Sequence, residues 1–549
     1  MSGLRKLLFI IGSILLTVSL SITAIASSES YFGKEYSQPH QVLELYPDPG
    51  ADFNTPAFTK EGRSFTSQEE MMDFVRNLDE ENNLVNLSII GESSEGREIP
   101  MLEFKKGKNS KKKPTVWIHS QIHGNEPAAG ETALVMAKQL TGVYGEKVLE
   151  KINVIVVPRV NPDGSYYFQR QDSNGFDLNR DHIKMESPEI KAIHKAFNKI
   201  QPEVSIVGHE YGVRHNSQIF QDIGEQGSLA YHDILLQSGR NLGIPEQIRD
   251  KAFDLFISNA RNELTEQGFS NGIYYSVAGL NEKGEPVINE PTYGADRGPS
   301  YLGLQPAFSF ITETRGIGIG REAFERRVAS AVTAQKSILE TTAQNSKMIK
   351  KVVENSRKQT VKNGRKADDN DKIAITMKRT QIDNKDFKVT DIATGEPVDL
   401  KIQYMSSTKA IPTLERVRPT NYIIPPEYNE IAERIEMMGI NVRKTKKSMK
   451  LEVETYSVKD KETDETAFEG VYQSHVKTDV STHDVVIPGG SYVFSMAQAT
   501  ANKLPIIFEP ESPSSFVTWN FIQSEVGETL PIYRFMGQRA IPTGNFSLK

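Results

Sequence analysis

Residues 115–126 read Thr115-Val-Trp-Ile-His119-Ser-Gln-Ile-His123-Gly-Asn-Glu126, and Pro127 follows them. Thr115 to His119 is a short apolar run, the texture of a strand covered on both faces. Proline suits the first position of a helix, where its missing N–H costs nothing, so Pro127 to Leu140 is expected to be helical. Between strand and helix, a turn presents His123 and Glu126 three residues apart. An imidazole and a carboxylate at that spacing can converge on one cation.

Working outward, the alternation repeats. Apolar runs lie at Leu87 to Ile90, Ile152 to Val157, Val204 to Val207 and Ala307 to Thr312. Helical patterns lie at Ser187 to Lys199, at Asp250 to Gln267, and over Met71, Met72, Phe74, Val75 and Leu78, with Thr66 or Ser67 as cap. This predicts an α/β fold, a mixed twisted sheet flanked by helices. Sites in such sheets form outside the carboxyl ends of strands. Gly208-His209-Glu210 follows the run Val204 to Val207, which makes His209 the natural third ligand beside His123 and Glu126. Two histidines and a glutamate with an open fourth position form a catalytic zinc site rather than a structural one. His119 is a competing histidine, but a strand exit need not put it on the same face as His123.

The chain has 549 residues, more than one compact domain needs, with 65 Lys+Arg against 71 Asp+Glu. A net charge of −6 offers no basic face for nucleic acid. Cysteine is absent, which excludes disulfides, thiol nucleophiles, iron–sulfur clusters and thiolate zinc sites. Any metal must be held by histidine and carboxylate. At the N-terminus, Arg5 and Lys6 precede the apolar run Leu7 to Ile22, and Ala24-Ile25-Ala26 provides a small-residue cleavage site. Residues 1–26 are therefore expected to be a bacterial-type signal peptide cleaved near Ala26, with an uncleaved anchor as the alternative. The mature chain is expected to be secreted or extracytoplasmic, with no transmembrane segment. Residues 27–60 form a lead-in, too short for a large folded pro-domain.

Phe324, Val328, Val332 and Leu339 continue at helical spacing into a long polar helix that fades near Gln359. The charged stretch 361–372, with Gly364 and no apolar periodicity, is the expected linker between a catalytic domain (61–360) and an accessory C-terminal domain (373–549). That second domain is expected to be smaller, β-rich and α+β, with pieces at Lys372 to Met377, Lys450 to Tyr456 and Tyr492 to Phe494 and one helix at Asn429 to Met438. His475 and His483 read as surface residues, and Trp519 as core. Nothing in the sequence specifies an oligomer.

The segments His123-Gly-Asn-Glu126, Asn161-Pro-Asp-Gly164, Asp177-Leu-Asn179-Arg180, His209 and Phe310-Ile-Thr-Glu313-Thr-Arg315-Gly316 occur in one order along the chain. Together with Gly91-Glu-Ser-Ser-Glu-Gly96-Arg97, they resemble the zinc carboxypeptidases related to carboxypeptidase A over roughly residues 60 to 330. The resemblance implies one Zn2+ per chain on His123, Glu126 and His209. It implies Glu313 as the general base toward a zinc-activated water and Arg170 as the group that polarises the scissile carbonyl. By the same resemblance Asn179 and Arg180 grip the substrate's terminal carboxylate, and Asp177 orients a ligand histidine. Asn125 stands where digestive members carry arginine, which is similar to bacterial members, as is the appended C-terminal region. The lid tyrosine of the family is expected at Tyr293 or Tyr301, both in a Gly/Pro-rich loop before Glu313.

These features imply a secreted metallocarboxypeptidase acting on peptides, or peptide-like substrates, with a free carboxylate. A cell-wall γ-D-glutamyl peptide hydrolase or an N-acyl amino acid deacylase would use the same metal chemistry. A non-catalytic binding protein of this fold would be expected to have lost a ligand or the base, and all are present.

Overall fold

The structure, a computed structural model, describes residues 33–59, 64–107, 110–214, 218–291, 293–367 and 370–546. The expected signal peptide lies outside the described residues. Strands β1 (Val85–Glu92), β2 (Glu98–Phe104), β3 (Thr115–Ser120), β4 (Asn153–Val157) and β5 (Val204–Gly212) come first. The shorter β6 (Ser228–Ala230), β7 (Ile234–Ser238), β8 (Asn271–Ile273), β9 (Ser276–Leu280) and β10 (Pro286–Asn289) follow, and then β11 (Phe308–Ile317). Eight of these form one mixed sheet in the order β1-β2-β4-β3-β5-β11-β7-β8. Its centre is parallel: β3 runs with β4 and β5, and β5 with β11. β2 and β7 are antiparallel to their inner neighbours.

The central strands are apolar almost throughout because both faces are covered; every residue of β4 is buried. Helices Pro127–Leu140 and Phe324–Gln344 pack on each other and on β5 and β11, while Pro188–Ile200 packs on β1. The first long helix, Gln68–Glu81, starts at a capping box: the Ser67 hydroxyl accepts Glu70 N–H at 3.2 Å, and the Glu70 carboxylate accepts Ser67 N–H at 2.7 Å. The lead-in is strapped to the body by buried Glu131, which accepts the Thr55 and Thr66 hydroxyls, each at 2.5 Å.

The C-terminal strands are β12 (Lys372–Asp391), β13 (Pro397–Val417), β14 (Asn421–Ile424), β15 (Val442–Thr445), β16 (Met449–Thr463), β17 (Ser474–Ile487), β18 (Tyr492–Ser495), β19 (Tyr533–Phe535) and β20 (Thr543–Asn545). Seven of them make a sheet in the order β17-β16-β19-β14-β18-β15-β20, and the helix Asn429–Met437 accompanies them. The β-rich texture expected there is present.

The expected linker at 361–372 is corrected. Helix Ser346–Gly364 runs through its first residues. Gly364 does not loosen the chain: a Cβ on it would lie 1.9 Å from the Met496 carbonyl oxygen, so glycine permits close packing of this helix against the C-terminal sheet. A third sheet, β6-β12-β13-β10-β9, mixes strands from both sides of that stretch, with β13 parallel to β10 and β12 antiparallel to β6. One apolar core runs from Phe53 to Ile532. The physical reason is the insertion between β5 and β11, whose short strands leave open edges that β12 and β13 cover.

Gly364→Val should therefore lower stability by at least about 2 kcal/mol in denaturant titration, with both halves unfolding in one transition. A variant that melts in two separate steps would contradict the shared core.

Candidate active site

Strand register sets the site. In the β5–β11 ladder, His209 pairs with Glu313, so the two side chains stand at neighbouring positions at the carboxyl end of the sheet. β3 ends at Ser120, and Gln121 turns the chain with φ 50°. A Cβ on Gly124 would fall 1.8 Å from the backbone carbon of Gly164, so the His123–Glu126 turn and the Asn161–Gly164 turn pack backbone against backbone. Asn161 locks them together. Its oxygen accepts Gly164 N–H at 2.7 Å, and its amide donates to the carbonyls of Ile122 at 3.2 Å and Arg170 at 3.3 Å.

His123, Glu126 and His209 meet as expected, all buried. Among the described residues they form a group whose donor atoms all lie within 4.8 Å of one another. His123 Nδ1 is 2.6 Å from Glu126 Oε1, His209 Nδ1 is 2.9 Å from Glu126 Oε2, and the two Nδ1 atoms are 3.2 Å apart. Two ring nitrogens and a carboxylate converging in this way fit zinc, which takes imidazole and carboxylate ligands readily. Burial opposes ionisation of Glu126, but the two imidazoles beside it hold its carboxyl below the usual range. His119 stays apart, accepting the Trp117 indole N–H on Nδ1 at 2.9 Å.

Asp177 joins the pieces. Its Oδ1 lies 3.0 Å from His123 Nε2 and accepts Asn179 N–H at 2.9 Å. Its Oδ2 accepts Arg170 Nε at 2.9 Å and Nη2 at 2.7 Å, a two-point contact that aims the guanidinium. Arg170 Nη1 reaches within 3.2 Å of His123 Nδ1. Asn179 is held by Gly298 N–H on Oδ1 at 2.9 Å, which leaves its amide nitrogen 3.3 Å from His209 Nε2. Arg180 donates Nη1 to the Asn179 carbonyl at 2.9 Å and makes no ion pair among the described residues. Its neighbour Asp181 is buried and bonds instead to Ser187 and the Glu186 N–H.

His123, Glu126, Arg170, Asn179 and Arg180 line a cavity of about 230 Å³ whose walls also include Glu313, Tyr274 and Arg297. Burial, and then the Glu126 charge, push the Glu313 carboxyl well above the ordinary range. The Tyr274 hydroxyl hydrogen-bonds to it. Sequence reasoning missed Tyr274; the only signal was the aromatic pair Tyr274-Tyr275.

Both expected lid tyrosines are corrected. Tyr301 belongs to the core, its ring 4.5 Å from His194 and 5.4 Å from His182, with Lys503 Nζ 4.4 Å above it. Tyr293 lines an adjoining cavity, with the Arg379 guanidinium 4.5 Å from its ring. Helix Gly298–Leu304 packs on β5 and β11 and carries Tyr301 into the core rather than to the cavity.

Next to His209, Glu210 is buried, accepting Ala128 N–H at 2.6 Å and pairing with Arg327. Arg327→Met would leave that carboxylate buried without its cation. A stability loss of about 3–5 kcal/mol is expected in denaturant titration. A loss under about 1 kcal/mol, the scale of an exposed pair, would contradict the buried brace.

The zinc carboxypeptidase family model matches residues 71–208. Carboxypeptidase 2 of Trichophyton rubrum is 30% identical over 519 residues, covering 91% of this chain and 94% of that protein. Carboxypeptidase 2 of Trichophyton tonsurans is 29% identical over 541 residues, covering 94% and 98%. The crystal structure of a carboxypeptidase A from Helicoverpa armigera aligns with a TM-score of 0.41 at 17% identity, over 56% of this chain and 80% of that one. The fungal relatives thus span the C-terminal sheets as well as the site. With a 30% identical relative matched along nearly its whole length, the chain belongs to the zinc carboxypeptidase family.

Proposed function

We propose that this metallocarboxypeptidase removes C-terminal residues from peptides, with one zinc ion held by His123, Glu126 and His209. The single observation that carries the reading is the cavity itself: Glu313 stands in register beside His209, and Arg180, without an ion pair among the described residues, lines the same space. Zinc, when bound, supplies a Lewis acid that polarises the scissile carbonyl and acidifies water.

The other roles fall to the chain's own groups. Arg180 and Asn179 bind the substrate's terminal carboxylate, a planar anion that a guanidinium holds at two points. Binding there presents the last peptide bond to Glu313. Burial raises the affinity of the Glu313 carboxylate for a proton, the direction that suits a base. It takes a proton from the attacking water as the carbon–oxygen bond forms, then passes that proton to the departing amine as the carbon–nitrogen bond breaks. Arg170, aimed by Asp177, faces the oxygen on which negative charge develops.

Export is part of the same proposal. The basic pair Arg5-Lys6, the apolar run Leu7 to Ile22 and the site Ala24-Ile25-Ala26 support a signal peptide. No helix among the described residues is long and apolar enough to cross a membrane.

Glu313→Gln should keep one zinc per chain by metal analysis while kcat falls by at least about a hundredfold. Activity close to wild type in that variant would remove Glu313 from the role of base.

A further inference from the structure

β16 and β17 form a hairpin that ends in the tight turn Phe468-Glu469-Gly470-Val471. The turn is closed by Phe468 N–H to the Val471 carbonyl at 2.9 Å and by Val471 N–H to the Phe468 carbonyl at 3.0 Å. Its two central residues have φ of 49° at Glu469 and 77° at Gly470. A two-residue turn with positive φ at both positions favours Asn-Gly or Asp-Gly, because a longer side chain gains nothing from left-handed backbone. Glutamate occupies the first of them here. A strained residue that persists points to a constraint elsewhere in the molecule.

That constraint lies at the active site. Glu469 Oε2 accepts the backbone N–H of Asp177 at 3.0 Å, although the two residues are 292 apart in sequence. The Glu469 carbonyl accepts Lys184 Nζ at 3.0 Å. Lys184 is buried, with its Nζ 4.9 Å from the Phe176 ring and 5.4 Å from the Trp519 indole. The turn of the C-terminal hairpin therefore grips the 176–184 segment at both ends, and this segment carries Asp177, Asn179 and Arg180.

We propose that Glu469 is a positioning residue for the metal centre, acting through Asp177; the proposal rests on the metal-site reading above. Asp177 has both carboxylate oxygens engaged, one on His123 and Asn179 N–H and the other on Arg170. Its carboxylate can hold a fixed direction only if its backbone is fixed as well. Few side chains that bond Asp177 come from outside its own loop and site, and Glu469 fills that role from the far end of the chain. This gives the C-terminal sheet a direct function: its hairpin sets the orientation of a ligand histidine and of the arginine beside it. Groups that orient metal ligands tune affinity strongly even though they never touch the ion.

The test uses full-length protein with Glu469→Asn and Glu469→Gln. Asparagine suits the left-handed backbone but is one methylene too short to reach Asp177. Glutamine keeps both the reach and the accepting oxygen. Zinc affinity is measured by competition with a chromophoric chelator, and the melting temperature is measured on the metal-free proteins. For Glu469→Asn, zinc affinity should fall about tenfold with a melting temperature at or above wild type, while Glu469→Gln stays within about twofold of wild type in affinity. Wild-type zinc affinity in Glu469→Asn would overturn the proposal. So would matching losses of affinity and melting temperature in both variants, which would make Glu469 an anchor of the hairpin alone. Wild-type protein that takes up no zinc would contradict the metal-site reading itself, and this role with it.

Discussion

Glu210 follows the ligand candidate His209 on β5, and its two oxygens bind two other parts of the molecule. One accepts the N–H of Ala128 in the first turn of the helix that begins right after Glu126; the other pairs with Arg327 on the long helix Phe324–Gln344. A carboxylate at a helix N-terminus satisfies a donor that no intrahelical partner can reach, and it meets the positive end of the helix dipole. The three elements that supply or support His123, Glu126 and His209 are thus tied at one buried charge. Moving any of them would expose Glu210 without a partner, which is costly at that depth. The spacing of His123, Glu126 and His209 is a consequence of this brace, and the β5–β11 register sets Glu313 beside His209.

The site then needs a second level of order. Asp177 links His123, Asn179 and Arg170 with one side chain, so the geometry of these three groups is correlated rather than set separately. The backbone turns that carry these residues are tight: a Cβ on Gly124 would meet the Gly164 backbone, and one on Gly164 would meet the Gln171 carbonyl and the Asn161 amide. Rigid support of this kind holds polar groups ready before a substrate arrives, which is where electrostatic catalysis gains most of its effect. The C-terminal sheets share the apolar core, close the edges of the β6–β10 insertion, and reach Asp177 through the β16–β17 hairpin.

Much of this could be read from the sequence where the signal was local. Pro127 marked the start of a helix that runs to Leu140, and continuous apolar runs marked β3, β4, β5 and β11 because both their faces are covered. His123, Glu126 and His209 could be singled out for the same reason, since each follows such a run, whereas Glu313 is singled out by the family resemblance. What escaped the reading is non-local. β6 and β8 have three residues each, too few for any periodicity, and they exist because neighbours pair with them. Tyr274 reaches Glu313 only because β8 lies beside β7, and Glu210 finds Arg327 across 117 residues. Tyr293 and Tyr301 were expected at the site on sequence proximity, which packing overrules. Gly364 has the composition of a linker residue, yet the close approach of Met496 is what demands glycine there.

A zinc-dependent site in this cavity that shortens peptides from the carboxyl end leaves a distinct product pattern. Its most direct test is to incubate purified protein with a mixed peptide library, with and without a chelator, and read the products by mass spectrometry. The expected products are ladders shortened only at the C-terminus that vanish with chelator and return with added zinc. Intact peptides from protein shown to hold about one zinc per chain, or cuts within the peptides, would contradict this activity.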